Sequence, residues 1–338
     1  MTPEVMHALS DRLRQLLGHP VENLVGAVLG GGACQENIKL TFQTQGVQHA
    51  VVMRTDADTS LPGSLSRWSE YHVIKLAHEA GVATPHAQWL MPNLIRPNTA
   101  SYFMPWLDGE TIGARIVRAP GLSRARHRLP KQLCRQLALI HRMTAENSQL
   151  EDGVLDAPQS ATARGLNWIR QMLNQLRHPR PASEWILRWL NENCPPDRPN
   201  TLVHGDFRVG NLMVQPDGLV AILDWEFAHW GDPYEDLAWF CVRDWRFGRI
   251  KLAAGGLTRC CDWWHHYEMA TGEVIDAHRF HFWEVFGNLR WALSAALQGQ
   301  RFESGGDFEL LGIPRRAIEM EFEAIRLIER GPRGRPQL

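Results

Sequence analysis

The chain has 338 residues, 44% of them hydrophobic, which suits a folded protein with one large core or two modest ones. Lys plus Arg at 36 against Asp plus Glu at 37 leave a formal charge of -1, so no overall field draws it to nucleic acid or anionic lipid. The six cysteines (Cys34, Cys134, Cys194, Cys241, Cys260, Cys261) show no CxxC spacing and read as free, mostly buried thiols of a reducing compartment.

The opening MTPEVMHALSDRLRQLL alternates charge with apolar residues at helical spacing, so a helix is expected there rather than a signal peptide. No stretch approaches the roughly 20 apolar residues of a membrane span, and a cytoplasmic protein is expected. Val25 to Leu29 and Asn37 to Thr44 read as strands around the glycine run Gly30-Gly31-Gly32, and His49 to Arg54 as a third strand after the Gln45-Gly46 turn. Leu65 to Ala80 then has helical spacing and is ended by Gly81. Strand-like pieces return from Ala87 to Tyr102, followed by a short connection, Phe103 to Gly109. Beyond it helices dominate: Leu129 to Arg142, Leu166 to Leu176, Glu184 to Leu190, and the Trp-rich stretch from Cys260 to Arg330. The pattern predicts a strand-rich lobe over 1–104 and a helical lobe over 105–338, an α+β chain in two lobes.

The densest chemistry lies in LVHGDFRVGNLMVQPDGLVAILDWEFAHWGDPYEDLAWF, from Leu202 to Phe240. A strand stub runs into His204-Gly205-Asp206 and reaches Asn211 five residues later. Leu212 to Val214 and Leu219 to Leu223 are β-like runs, and Asp217-Gly218 predicts a two-residue type I′ hairpin turn between them. In that register Asn211 and Asp224 are cross-strand partners, with side chains about 5 Å apart on one face. An amide oxygen and a carboxylate so placed suit magnesium, which keeps room for water and substrate phosphates. Asp206 is left to take a proton from an attacking hydroxyl. Singly, Asp and Asn near turns are commonly turn formers, but jointly they reproduce the layout of a kinase catalytic loop and its metal aspartate.

Upstream, the backbone amides of Gly30, Gly31 and Gly32 can approach phosphates because no side chain intervenes, although such a run is by itself an ordinary hairpin turn. Arg54 on the third strand and Glu70 on the next helix resemble the cation and glutamate that order nucleotide phosphates in kinases.

These residues give the chain a resemblance to the aminoglycoside phosphotransferase-like family of small-molecule kinases, which shares the two-lobed protein-kinase-like fold. Leu29 to Asn37 looks like the family's first-hairpin loop, and Met104-Pro105-Trp106-Leu107-Asp108-Gly109 like its interlobe hinge. His204 to Asn211 looks like its catalytic loop, and Asp224-Trp225-Glu226 stands where kinases have Asp-Phe-Gly. The resemblance implies ATP or GTP with Mg2+, backbone near Met104 and Trp106 facing the base, metal ligands Asn211 and Asp224, base Asp206, and a small-molecule hydroxyl acceptor. Two departures stand out: Arg54 where the strand cation is commonly Lys, and Glu226 in place of Gly. The variant resembles the phosphotransferase domains attached to some acyl-CoA dehydrogenases. Aminoglycosides, sugars, amino alcohols and hydroxyacyl thioesters all stay open as acceptors. So do two other readings, a protein kinase and a silent nucleotide-binding scaffold.

His204 is expected to bond the loop backbone that aims Asp206, and Asp232 and Asp236 to cap a helix and tether that loop. Glu226 could serve a second metal through water or pair with an arginine such as Arg208, and the tryptophans near Trp263, Trp264, Trp283 and Trp291 are expected in the core. A monomer or homodimer is expected.

Overall fold

The computed structural model describes residues 3–29, 35–56, 63–303 and 312–334. Two compact units emerge, the first comprising Met1–Gly109, Ser148–Asp156 and Ala221–Ala228, the second Glu110–Asn147, Ala157–Val220 and His229–Leu338. The architecture is α+β, with an antiparallel-sheet unit and a mainly helical unit.

In the first unit, helix α1 (Pro3–Leu17) precedes strands β1 (Glu22–Leu29), β2 (Gln35–Thr44) and β3 (Val47–Asp56). The β2–β3 hairpin closes on the Thr44↔Val47 pair through Gln45 and Gly46, whose φ of 52° and 74° are those of a type I′ turn. Helix α2 (Arg67–Glu79) begins at Ser66, whose side chain accepts from the Ser69 amide at 3.1 Å, and Gly81 follows its end with φ 85°. Strands β4 (Gln88–Pro92) and β5 (Ala100–Pro105) complete a five-stranded antiparallel sheet of order β1-β2-β3-β5-β4. Period-2 alternation sends Ile38, Leu40, Phe42, Val51, Met53 and Phe103 to one face, where they bury Leu9 and Leu13 of α1. The amphipathic first helix is thereby the cover of the sheet.

The second unit is helical: α3 (Gly113–Arg118), α4 (Ser123–Ile140), α5 (Ala161–Gln175) and α6 (Pro181–Glu192) lead to strand β6 (Thr201–Val203). The chain continues through β7 (Leu212–Gln215), β8 (Gly218–Ile222), β9 (His229–Gly231) and α7 (Tyr234–Trp239). Helices α8 (Cys260–Thr271), α9 (Ala277–Glu303) and α10 (Arg315–Arg330) follow. Trp263, Trp264 and Trp283 are buried, as the sequence led one to expect, and Trp291 packs against the cluster of Trp239, Val242, Trp245, Ala292 and Met320.

The β7–β8 hairpin corrects one expectation. Gln215 ends β7 and Gly218 already begins β8, so the turn stands on Pro216 and Asp217. Of these residues Gly218 alone has positive φ, 136°, whereas a type I′ turn on Asp217-Gly218 needs positive φ at Asp217 as well. Proline's fixed φ suits the first corner of a type I turn and pulls the turn one residue back. The turn register therefore no longer pairs Asn211 with Asp224. No described helix is long and apolar enough to cross a membrane.

The helical unit also carries a buried charge liability. His281 on α9 is buried edge-on to Trp189, neither ring nitrogen has a hydrogen-bond partner among the described residues, and its pKa is lowered from 6.5 to about 4. Burial is the main cause; Glu284 opposes it and Arg330 and Arg333 reinforce it. Because the unfolded chain takes up this proton first, stability is full above pH 6.5 and falls as pH drops toward about 4. In urea titrations, His281→Phe is expected to lose about 2 kcal/mol less stability than the parent between neutral pH and about pH 4.5. An equal loss in both proteins would assign the acid sensitivity elsewhere.

Candidate active site

Within the first unit, Arg54 sits on β3 opposite Tyr102 of β5 and is buried. One of its terminal nitrogens, Nη2, donates to Glu70 Oε1 at 2.8 Å and to Asp224 Oδ1 at 3.0 Å. Burial by itself would disfavour the guanidinium charge; Glu70, Tyr102 and Asp224 outweigh it and hold its pKa raised. Glu70 is fully buried, and its second oxygen is taken by Arg67. The sequence pair Arg54 and Glu70 is thus a real ion pair that extends to a second arginine.

Asp224 reaches Arg54 because its segment is anchored in the first unit. The Ile222 amide donates to the Ala83 carbonyl at 2.7 Å, and the fully buried Trp225 donates its indole N–H to Thr84 Oγ1 at 3.1 Å. Asp224 itself adopts φ 68°, a left-handed conformation that Asp tolerates better than most side chains. Two residues on, Glu226 accepts from Ser64 Oγ at 2.9 Å and lies 4.0 Å from Arg67. Burial first, and then the charge of Asp224, push its pKa from 4.5 up to about 7, against the Ser64 hydrogen bond.

The hinge residues are partly committed. The Trp106 amide donates to Ala50 of β3 at 3.0 Å, its indole N–H to Asp108 at 2.9 Å, and the Lys39 ammonium stands 3.6 Å above its ring. Met104 pairs with Val52 inside the sheet. Gly30, Gly31 and Gly32 lie outside the described residues.

Within the second unit, β6 delivers the chain to His204-Gly205-Asp206, and β6 itself is paired with β9 from Thr201↔Gly231 to Val203↔His229. Asp236, buried in the first turn of α7, accepts from the His204 amide at 2.7 Å and the Gly205 amide at 2.9 Å. Burial would raise its pKa, but His141, 3.3 Å away, and His204 bring it below the usual carboxylate range. The Gly205 carbonyl accepts from Arg290 at 2.8 Å, and Gly205 has φ 77°, where a side chain would be strained. His204 Nδ1 accepts from the Asp206 amide at 3.2 Å, so the histidine bonds the loop as expected. Asp232 accepts from the Tyr234 amide at 3.0 Å and the Trp283 indole at 3.0 Å, and pairs with Arg279, which ties α7 to α9.

The Asp206 carboxylate is nearly covered and held on both oxygens. Trp239 Nε1 donates to Oδ1 at 2.8 Å, Asn211 Nδ2 to Oδ2 at 2.7 Å, and Arg208 Nε reaches Oδ1 at 3.1 Å and Oδ2 at 3.0 Å. Asn211 Nδ2 also donates to the Asp206 carbonyl at 2.9 Å, within a short 3-10 turn, Val209–Asn211. With its amide nitrogen engaged twice on Asp206, Asn211 has its carbonyl oxygen as the atom to offer a hard cation. No three His, Cys, Asp or Glu converge as a closed metal site among the described residues.

Sequence reasoning missed Trp239, Arg208 as a partner of Asp206, Arg290, and the Arg67–Ser64 group around Glu70 and Glu226. Arg208 was visible as a near neighbour of Asp206. Trp239 and Arg290 come from remote helices, and no local pattern marks them.

Comparison with known proteins agrees with the fold. The model of the phosphotransferase enzyme family matches residues 27–265. Acyl-CoA dehydrogenase family member 10 of Mus musculus is 29% identical over 199 residues, which are 57% of this chain and 18% of that protein, so the chain spans less than a fifth of it. Among solved structures, a candidate aminoglycoside phosphotransferase from Ralstonia eutropha superposes with a TM-score of 0.76 at 23% identity, over 97% of this chain and 99% of the other. Aminoglycoside phosphotransferase APH(4)-Ia, in a ternary complex with AMP-PNP and hygromycin B, gives 0.61 at 14% identity, over 96% and 98%. The sheet unit and the helical unit are those of the kinase-like phosphotransferase fold, and the chain belongs to the phosphotransferase enzyme family.

Proposed function

We propose that this chain transfers the γ-phosphoryl group of ATP or GTP to a hydroxyl of a small molecule. The observation that carries the reading is the Asp206 carboxylate, oriented by Trp239, Arg208 and Asn211 on a loop that Asp236 holds from its backbone side. A family of phosphotransferases uses such groups for positioning and charge neutralisation more than for covalent chemistry. The nucleotide in the APH(4)-Ia complex supports nucleotide use here, and its hygromycin B supports a small-molecule acceptor.

Each task in the transfer falls to a named group. Arg54, aligned by Glu70, binds the α- and β-phosphates. Asn211 and Asp224 would hold Mg2+, which would supply charge neutralisation at the phosphates. Asp206 orients the acceptor hydroxyl and takes its proton; the donors around the carboxylate fix which way its oxygens point. Base recognition is assigned to backbone groups near Met104 and Trp106 other than the Trp106 amide, which donates to Ala50. In this reading 1–104 is the nucleotide-binding lobe and 105–338 carries the catalytic loop and acceptor pocket. A cytoplasmic monomer or homodimer acting without membrane or nucleic acid fits its even charge balance.

Two experiments test the proposal. Asp206→Asn keeps the shape of the side chain, and kcat is expected to fall by about 10²–10⁴-fold with little change in nucleotide affinity; undiminished turnover would remove Asp206 from the proton's path. In thermal shift, saturating ATP or GTP with magnesium is expected to raise Tm by about 3–6 °C. The magnesium-dependent part should vanish in Asp224→Ala, and a protein indifferent to every nucleotide would favour a silent scaffold.

A further inference from the structure

Arg67, the first residue of α2, stands where three segments of the first unit meet, and none of the roles above uses it. Its Nε donates to Asp56 Oδ1 at the end of β3, 3.3 Å away. Nη1 is paired with Glu70 Oε2, and Nη2 donates to the Leu65 carbonyl at 2.7 Å and Ser64 Oγ at 3.3 Å. The same nitrogen lies 4.0 Å from Glu226 Oε2. The side chain is only 3% exposed, so these contacts are made with little competition from water.

Glu70 is therefore shared between two arginines: Oε1 belongs to Arg54 and Oε2 to Arg67. A carboxylate fixed at both oxygens has one orientation to present, and the Arg54 guanidinium inherits it. The loop before α2 is stitched independently to the segment that carries Asp224. The Leu65 amide donates to the Glu226 carbonyl at 2.6 Å, while Ser64 Oγ donates to the Glu226 carboxylate at 2.9 Å. β3 carries Arg54, α2 carries Glu70, and the Glu226 segment carries Asp224; Arg67 touches the first two and approaches the third. Five donors in a rigid fork make this possible, and a lysine ammonium could not span the same set.

We propose that Arg67 is a positioning residue for the nucleotide phosphates, acting through Glu70 on Arg54 and, with Ser64, through Glu226 on the Asp224 segment. This rests on the nucleotide site proposed above. The same contacts account for one departure of the sequence from the kinase pattern: Glu226 is the anchor of the loop before α2.

The test is calorimetric binding of magnesium-ATP to the full chain and to Arg54→Gln, Arg67→Gln and their double variant, each at a temperature where circular dichroism shows it folded. Arg67→Gln is expected to bind about tenfold more weakly, and the double variant more weakly than Arg54→Gln but by clearly less than the product of the two single effects, because the route through Glu70 to Arg54 is shared. Affinity equal to the parent in a folded Arg67→Gln with lowered Tm would make Arg67 structural only and overturn the proposal. So would two effects that multiply in full. Should Arg67→Gln not fold, Ser64→Ala and Arg67→Lys decide: each is expected to weaken binding about threefold, and parental affinity in both overturns the proposal. A parent chain that binds no magnesium-ATP would overturn the nucleotide site itself, and this inference with it.

Discussion

Much of the helical unit's chemistry depends on one buried carboxylate. Asp236 accepts two consecutive backbone N–H groups, those of His204 and Gly205, in the interior of the protein. Two amides that would otherwise be left without partners by the turn after β6 are satisfied there, and leaving such groups unmade costs about 1–3 kcal/mol each. The loop is thus fixed from behind, while Asp206 faces the other way toward Trp239, Arg208 and Asn211. His141 matters for the same reason: held at its other ring nitrogen by Tyr267, 2.8 Å away, it lowers the pKa of Asp236 against the effect of burial.

The sheet unit applies a different rule to a similar problem. Its two buried arginines, Arg54 and Arg67, are each matched to carboxylates, and Glu70 serves both. A buried guanidinium is tolerable when its donors are satisfied and its charge is met at close range. Glu226 is the least comfortable member of the group, since its burial beside Asp224 raises its pKa to about 7.

Much of this was legible locally. The Gln45-Gly46 turn, the Ser66 cap, the helix over α2 and the loop from His204 to Asn211 all follow from short-range chemistry, namely left-handed glycine, a hydroxyl ahead of an apolar run, and fixed spacing. The Asp217-Gly218 turn was misread because the preceding Pro216 outweighs the dipeptide signal: a residue locked at negative φ makes itself the corner. What could not be read at all are the long-range partners. Trp239 reaches Asp206 across 33 positions of sequence and Arg290 reaches Gly205 across 85. Such contacts are decided by helix packing, and an isolated Trp or Arg has no spacing that betrays its target. Glu226 shows the same limit, since its actual partners Ser64 and Leu65 lie far upstream.

The makeup of the first unit bears on how the chain is born. Its sheet is complete by Pro105, yet the unit also takes in Ala221–Ala228, where Asp224 pairs with Arg54 and Trp225 is buried against Thr84. During synthesis from the N-terminus, most of the chain has to leave the ribosome before Arg54 meets that carboxylate. Until then a nascent sheet carries an arginine that lacks its Asp224 carboxylate, and the place of Trp225 is unfilled. The first unit to be made is thus completed late, and the Arg54–Asp224 ion pair is tied to prior synthesis of the Asp206 loop.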